Sequence, residues 1–377
     1  MTIPAAPLPS LRDLLSVRRA RPFAAKAWAA GCQGRVVRVF RRGGMALAAG
    51  VEVARRAAAA SQATVWVPGY FCNEALDWIR RLPVILRFYQ LRKDGTPDWE
   101  ALDKRIPHQP GPHVFVLVHY FGFPNALSQA RVYCDQYGMV LFEDAAHVLL
   151  PGGGIGEAEL VIFSPRKLLA IPSGGLLVLR KDWADRLAPP SGDASIGGSL
   201  CWLVRRSAQR LMLGLRIPWH RFRKAGRNAE SPRPIHELPI ETQQCDPLAL
   251  RLLAIAGQDL SGVADRRREN YARLAEWAAP MVGARPAFPH LPEGVCPYAF
   301  PLLVHGGCEA VASRLQSRGV PASRWPDLPP EVLTAKEVHR VAVRTYERLL
   351  LLPVHQSLSL GQIDFVGRQL QLALATV

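Results

Sequence analysis

The stretch MVLFEDAAH, residues 139–147, is an apolar run that ends in two acids, and with FSPRKLLAIPSGG, residues 163–175, it decides the fold. An apolar run bounded by polar residues reads as a strand buried on both faces, which requires a sheet covered by helices on each side. Outward from this strand the same grammar repeats. TVWVPGY is a strand ending at a Pro-Gly turn, NEALDWIRRL a helix, and PVILRFYQL the next strand. HVFVLVHYFG is a nearly continuous apolar strand ending in glycine, and ALSQARVYCDQYG an amphipathic helix. LVIFS and GLLVLR complete the series. Upstream, the glycine turn RRGG at 41–44 opens an Ala-rich helix. The alternation predicts an α/β fold of three layers with a mixed, mostly parallel sheet, in which ligands sit beyond the carboxyl ends of the strands.

The chain has 377 residues, 49% hydrophobic and 21% charged, enough apolar material for two closely associated domains. Composition and rhythm divide it into an N-terminal arm over 1–38, a large domain over 39–245 and a smaller C-terminal α+β domain over 246–377. Within the large domain, 195–230 is a basic insert. DPLALRLLAIAGQDLSGVADRRRENYARLAEWAAP, which opens the last part, reads as one long helical region. No apolar stretch is long enough for a membrane span, and the first residues lack the pattern of a secretory signal. Seven scattered cysteines, without a CxxC or Cys/His spacing, argue for a reducing compartment and against a structural metal, so the expected location is the cytoplasm. The net charge of +16 asks for a phosphate-bearing or anionic partner. No helix-turn-helix, zinc-finger or RNA-binding signature is present, which argues against nucleic acid.

Three segments converge on one chemistry: the strand end at Glu143 and Asp144, the lysine of FSPRKLLAIPSGG, and the glycine turn at 41–44. Pyridoxal phosphate needs such parts. A lysine amine must condense with its aldehyde, a carboxylate must keep the pyridine nitrogen protonated, and a helix N-terminus or hydroxyls must hold the phosphate. A lysine beside an arginine is by itself an ordinary surface residue. Lys167 is singled out by its place between a buried strand and a Ser-Gly-Gly turn. Asp144 could alternatively cap a helix, His147 could be a core histidine, and Glu143 reads as structural. Cys72 has no partner cysteine that would make it a redox thiol.

The ordered set VPGYF, VHYFG, EDAAH and SPRKLLAIPSGG resembles the DegT/StrS type of sugar aminotransferase within fold-type I pyridoxal-phosphate enzymes. The likeness covers roughly residues 40–180 and continues in outline through RRRENYARL and LLLLPVHQSLSLGQIDFV. The resemblance implies that Lys167 carries the cofactor as a Schiff base and then moves the proton, that Asp144 pairs with the ring nitrogen, and that Ala146 leaves room beneath the ring. It places His147 near the cofactor's 3′-oxygen, and Ser164 with the amides of Gly43 and Gly44 at the phosphate. Tyr70, Phe71 or Cys72 would lie over the ring, and His119 and Tyr120 would line the pocket. A homodimer with its sites at the interface is also implied. The chain departs from the family at Gly44, where relatives have threonine, and in the shorter spacing from Ser164 to Lys167, for which Arg166 could compensate. It also lacks a counterpart, near 235–246, of the asparagine that relatives send across the dimer.

The expected activity is transfer of an amino group from an amino acid, glutamate foremost, to a keto sugar or sugar-like acceptor. That acceptor could be nucleotide-linked, on a route to a polysaccharide or secondary metabolite. The alternatives are a dehydratase-like reaction on the same cofactor, against which Lys167 counts, or a degenerate regulatory or scaffold protein. The segment 201–227 carries eight Arg/Lys and no acid, with Cys201, Val204, Ala208, Leu211, Met212 and Leu215 at helical spacing. It suits peripheral contact with the inner face of a membrane, or a helix packed on the body with its arginines outward.

Overall fold

The structure is a computed structural model that describes residues 3–17, 20, 26–29, 35–106, 109, 111–187, 196–215 and 244–375. Seven strands form the main sheet: β1 (Arg35–Phe40), β2 (Ala63–Pro68), β3 (Val84–Tyr89), β4 (His113–Val118), β5 (Val140–Ala145), β6 (Leu160–Phe163) and β7 (Gly175–Arg180). Their order is β1-β7-β6-β5-β4-β2-β3. The neighbours from β3 to β6 pair in parallel, and β7 runs antiparallel to both β6 and β1. Every residue of β2 is buried, as is all of β4 and β5 beyond the first residue, so the sheet has helices or loops on both faces. The three-layer α/β expectation holds.

The helices of ten residues or more are α1 (Gly43–Ala57), α2 (Leu127–Tyr137), α3 (Gly197–Gly214), α4 (Pro247–Ala256), α5 (Leu260–Ala278), α6 (Cys308–Ser317) and α7 (Leu360–Leu374). A second, antiparallel sheet combines β8 (Ala284–Pro286), β9 (Phe300–Val304), β10 (Ser323–Arg324) and β11 (Leu349–Leu352) in the order β10-β11-β9-β8. α7 packs on α5 and α6 beside it.

Two glycine motifs are explained by one close approach. A Cβ on Gly175, at the start of β7, would lie 2.3 Å from the Arg42 carbonyl, so the Ser-Gly-Gly turn must be bare where it passes the Arg-Gly-Gly turn. Gly50 on α1 similarly lets the helix settle on Phe142 of β5, at 2.5 Å from a would-be Cβ.

Three expectations are corrected. The arm over 1–38 overlaps β1, which pairs along its whole length with β7. Its beginning is docked too, since Ile3 N–H donates to the Gly319 carbonyl and Leu8 N–H to Ser357 Oγ. NEALDWIRRL forms two short pieces, Asn73–Leu76 and Ile79–Arg81, rather than one helix. The long region after 246 is α4 and α5 joined by a single tight turn at Gly257–Asp259. Of the basic insert, residues 196–215 belong to the described residues and 216–243 lie outside them, as does most of the segment near 235–246.

Candidate active site

The carboxyl ends of β2, β4, β5 and β6 open onto a cavity of about 280 Å³, near the lower end of ordinary ligand pockets at roughly 300 Å³. Lys167, Asp144, Ala146, His147 and Ser164 line it, with Gly43 and Gly44 from the start of α1 and Tyr70, Phe71 and Cys72 from the loop after β2. Tyr120 and Arg166 are also on its wall. His119 is not. Backbone direction explains the difference: side chains of successive extended residues point to opposite sides, so Val118 and Tyr120 reach the cavity while His119 turns away.

The same alternation separates the two acids of EDAAH. Glu143 faces His119: the two are fully buried, 2.8 Å apart from Nε2 to Oε2. The Asn125 N–H donates to His119 Nδ1, which leaves the ring proton on Nε2 to donate to Glu143. Glu143 also accepts the N–H groups of Gly156 and Ala158. Burial opposes its ionisation, yet these bonds outweigh burial and hold its carboxyl below the usual range. Glu143 thus ties β5 to the loop before β6. Asp144 faces the cavity with one oxygen accepting from Ala146 N–H, and burial raises its carboxyl despite the opposing pull of Lys167.

Lys167 ends a short turn at Pro165–Lys167, and its Nζ lies 3.0 Å from His147 Nε2. The tautomer of His147 follows from the backbone. Phe121 N–H donates to Nδ1 at 3.2 Å, so the ring proton resides on Nε2 and points at the lysine. That contact is a hydrogen bond only if Lys167 Nζ accepts, which means a neutral amine. Burial lowers both groups from their ordinary values; the Lys167 charge lowers His147 further, while the Asp144 carboxylate pulls Lys167 back up. A neutral, desolvated lysine amine is a nucleophile at ordinary pH.

His147 is clamped between Tyr298 at 4.4 Å and Phe121 at 5.7 Å, both nearly parallel to it. Phe121 adopts φ 59°, ψ 16°, a left-handed conformation that costs an aromatic residue about 1–3 kcal/mol. The strain aims its N–H at His147, and its carbonyl accepts from Tyr298 N–H.

Sequence reasoning missed the residues that come from the second sheet's side. Trp325 stands over the cavity, 4.6 Å from Tyr70. Arg267 on α5 is 1% exposed and bonded to carbonyl oxygens: Pro297 and Tyr298 through Nη1, Leu168 through Nη2 and Gln356 through Nε. It joins the loop that carries Lys167 to the strand that presents Tyr298. RRRENYARL signals a helix, but nothing in it distinguishes this arginine from its two neighbours. A further cavity of about 390 Å³ adjoins the first, sharing Tyr70 and Tyr120 and bordered by Arg92, Lys93 and Arg285.

The residues present fit pyridoxal phosphate. Ser164 Oγ is buried without a partner and sits 3.4 Å from where a Cβ on Gly43 would be. Arg42, the N-cap of α1, supplies no side-chain cap, so the first-turn N–H groups beside Ser164 form an anion cradle. The Lys167 amine and the buried Asp144 carboxyl lie on the same cavity. Gly44 is explained by packing, since a Cβ there would lie 3.2 Å from Trp78. Among the described residues, no group of three or more His, Cys, Asp or Glu could hold a metal ion.

Residues 91–188, which contain Asp144, His147, Ser164 and Lys167, match the sequence model of the DegT/DnrJ/EryC1/StrS aminotransferase family. No curated protein matches the whole sequence significantly. Among solved structures, the aminotransferase TlmJ from Streptoalloteichus hindustanus is 20% identical with a TM-score of 0.68, covering 100% of both chains. Helicobacter pylori PseC, an aminotransferase of pseudoaminic acid biosynthesis, is 13% identical with a TM-score of 0.72, again over 100% of both. The putative sugar aminotransferase Spr1654 from Streptococcus pneumoniae, in its PLP form, is 14% identical with a TM-score of 0.69, over 100% of this chain and 99% of its own. At these identities the likeness establishes the fold.

Proposed function

We propose, from the DegT/DnrJ/EryC1/StrS aminotransferase segment at residues 91–188 and the site it builds, that this chain is a pyridoxal-phosphate-dependent aminotransferase. It moves an amino group from an amino acid, glutamate foremost, to a keto sugar or sugar-like acceptor. The observation that carries the reading is the buried Lys167 amine, 3.0 Å from His147 Nε2 and on the same cavity as the buried Asp144.

Pyridoxal phosphate bound here supplies an aldehyde for amines and a protonated ring that draws electrons from the carbon bearing the amino group. The chain does the rest. Gly43, Gly44 and Ser164 would hold the phosphate, and Asp144 would keep the ring nitrogen protonated. Lys167 Nζ would hold the cofactor's aldehyde carbon and, as a free amine, would take a proton from the donor's α-carbon and give one back to the acceptor's carbon. His147 Nε2–H orients that amine, and the stacked Tyr298 and Phe121 keep the imidazole in plane. Trp325 and the aromatic loop after β2 exclude water from the reacting atoms. The adjoining cavity, with Arg92, Lys93 and Arg285, supports an acceptor that carries negative charge, such as a nucleotide-linked sugar. The family resemblance further supports a homodimer.

The test is turnover of a panel of keto-sugar nucleotides with glutamate, read as 2-oxoglutarate release. Release that depends on both substrates supports the proposal. A protein that binds the cofactor, as judged by its visible absorbance band, yet never loses that band to any amino acid is not an aminotransferase.

A further inference from the structure

The helix α3 leaves a long apolar stripe on its outer face. Ser199 and Gln209 are its buried residues, and Ser199 Oγ donates to Asp246 Oδ2 at 2.6 Å. Arg206 bonds Gln209, and Arg210 reaches the Pro9 carbonyl. Trp202 and Leu203 also pack against the core, so the inward face of the helix mixes polar and apolar residues. The apolar side meets solvent: Ile196, Leu200, Val204, Leu211 and Leu215 are between 49% and 64% exposed and recur every three or four residues, with gaps filled by exposed Ala208. A surface helix ordinarily does the reverse.

A neighbouring short helix extends the patch. Leu11–Ser16 packs, like α3, on α4, and its Leu11 and Leu15 are 65% and 81% exposed. The Arg210–Pro9 bond ties the two segments together. A contiguous apolar surface of this kind marks an interaction site rather than the scattered exposure of single residues.

Charge selects the occupant. The charged residues of α3 are Arg205, Arg206 and Arg210, with no Asp or Glu; Arg205 is exposed beside the stripe, and the chain as a whole has a net charge of +16. A second copy meeting this face about a two-fold axis would set cation against cation, with no acid on the helix to compensate. Nucleic acid would use the cations and leave the leucines in water. An anionic bilayer surface satisfies both at once, with apolar side chains in the acyl boundary and arginines at the phosphates. Among the described residues no helix is long and apolar enough to cross a membrane, so the contact is one that lies on the surface. We infer that α3, with the Leu11–Ser16 helix beside it, docks the protein onto an anionic lipid bilayer.

The experiment is flotation of the full chain with two kinds of vesicle, phosphatidylcholine alone and equal parts phosphatidylcholine and phosphatidylglycerol, at low and high salt. Flotation with the anionic vesicles that high salt weakens is the expected result. The double variant Val204→Ser/Leu211→Ser should then bind at least about tenfold more weakly, with the cofactor's absorbance band unchanged. No flotation with anionic vesicles at low salt overturns the inference, as does unaltered binding of the double variant. If the double variant instead changes the mass in light scattering and leaves flotation alone, the face joins copies of the chain and the inference is wrong.

Discussion

The cavity at the strand ends and the outer face of α3 break the ordinary partition of side chains in opposite directions. At the cavity, Asp144 and Lys167 are charge-bearing groups taken out of water; on α3, leucines and valines are left in it. Each arrangement is costly alone and makes sense with a partner. For the cavity the partner is a cofactor with an aldehyde, a basic ring nitrogen and a phosphate. For α3 it is a surface that is both apolar and anionic. The structure supports the first more heavily, because the backbone N–H groups of Phe121 and Ala146 orient His147 and Asp144 there. Nothing comparable constrains the stripe on α3.

Substitutions in the cavity should therefore act on chemistry, and those on α3 should not. Lys167→Ala is expected to lower kcat by more than about 10³-fold, measured as single-turnover formation of 2-oxoglutarate. Asp144→Asn should cost on the order of 10²-fold. It should also move the pH at which Lys167 becomes reactive downward, because the carboxylate's charge favours the protonated lysine. The pH dependence of the apoprotein's reaction with pyridoxal phosphate checks that direction.

Glu143→Ala acts on the scaffold. It strands the donors of His119, Gly156 and Ala158 and should lower unfolding stability by about 3 kcal/mol or more, measured in urea. The native carboxyl lies below its ordinary 4.5. Its contribution is thus fully present above that pH and fades as pH falls through the native value, so the stability gap between wild type and Glu143→Ala should narrow on acidification.

Arg267→Lys keeps a buried cation but cannot span the carbonyls of Leu168, Tyr298 and Gln356 Oε1 together. A loss in kcat of about tenfold is expected, with KM for glutamate little changed and a shifted pH profile of the Lys167 absorbance band. Equal changes in kcat and folding stability with an unshifted profile would assign Arg267 to the core alone. Smallest of all, Leu211→Ser should change stability by less than about 0.5 kcal/mol and leave turnover in solution intact.

Most of the sheet was legible in the sequence because buried parallel strands are continuous apolar runs, and β2, β4, β5 and β6 announce themselves in this way. β1 was not, since RVVRVF mixes arginines with valines and pairs at the sheet edge, where it is half-buried. Of the site residues named from sequence, His119 is the one the fold turns away, and the period-two alternation of extended chain is the reason. Trp325, Tyr298 and Arg267 could not be found, because their roles arise from contacts across the chain that no local period records. The stripe on α3 was visible as a period. Its direction was not, because amphipathicity tells which residues share a face and not which face meets the protein.

The central claim is that Lys167 is the cofactor's lysine. The chain contains seven lysines, and among the described residues Lys167 alone lines the cavity of the candidate site. Purified protein incubated with pyridoxal phosphate, reduced with borohydride and mapped by mass spectrometry gives the direct test. A pyridoxyl adduct confined to Lys167, and prevented when glutamate is added before reduction, is the expected result. An adduct at another lysine, or none, contradicts the account.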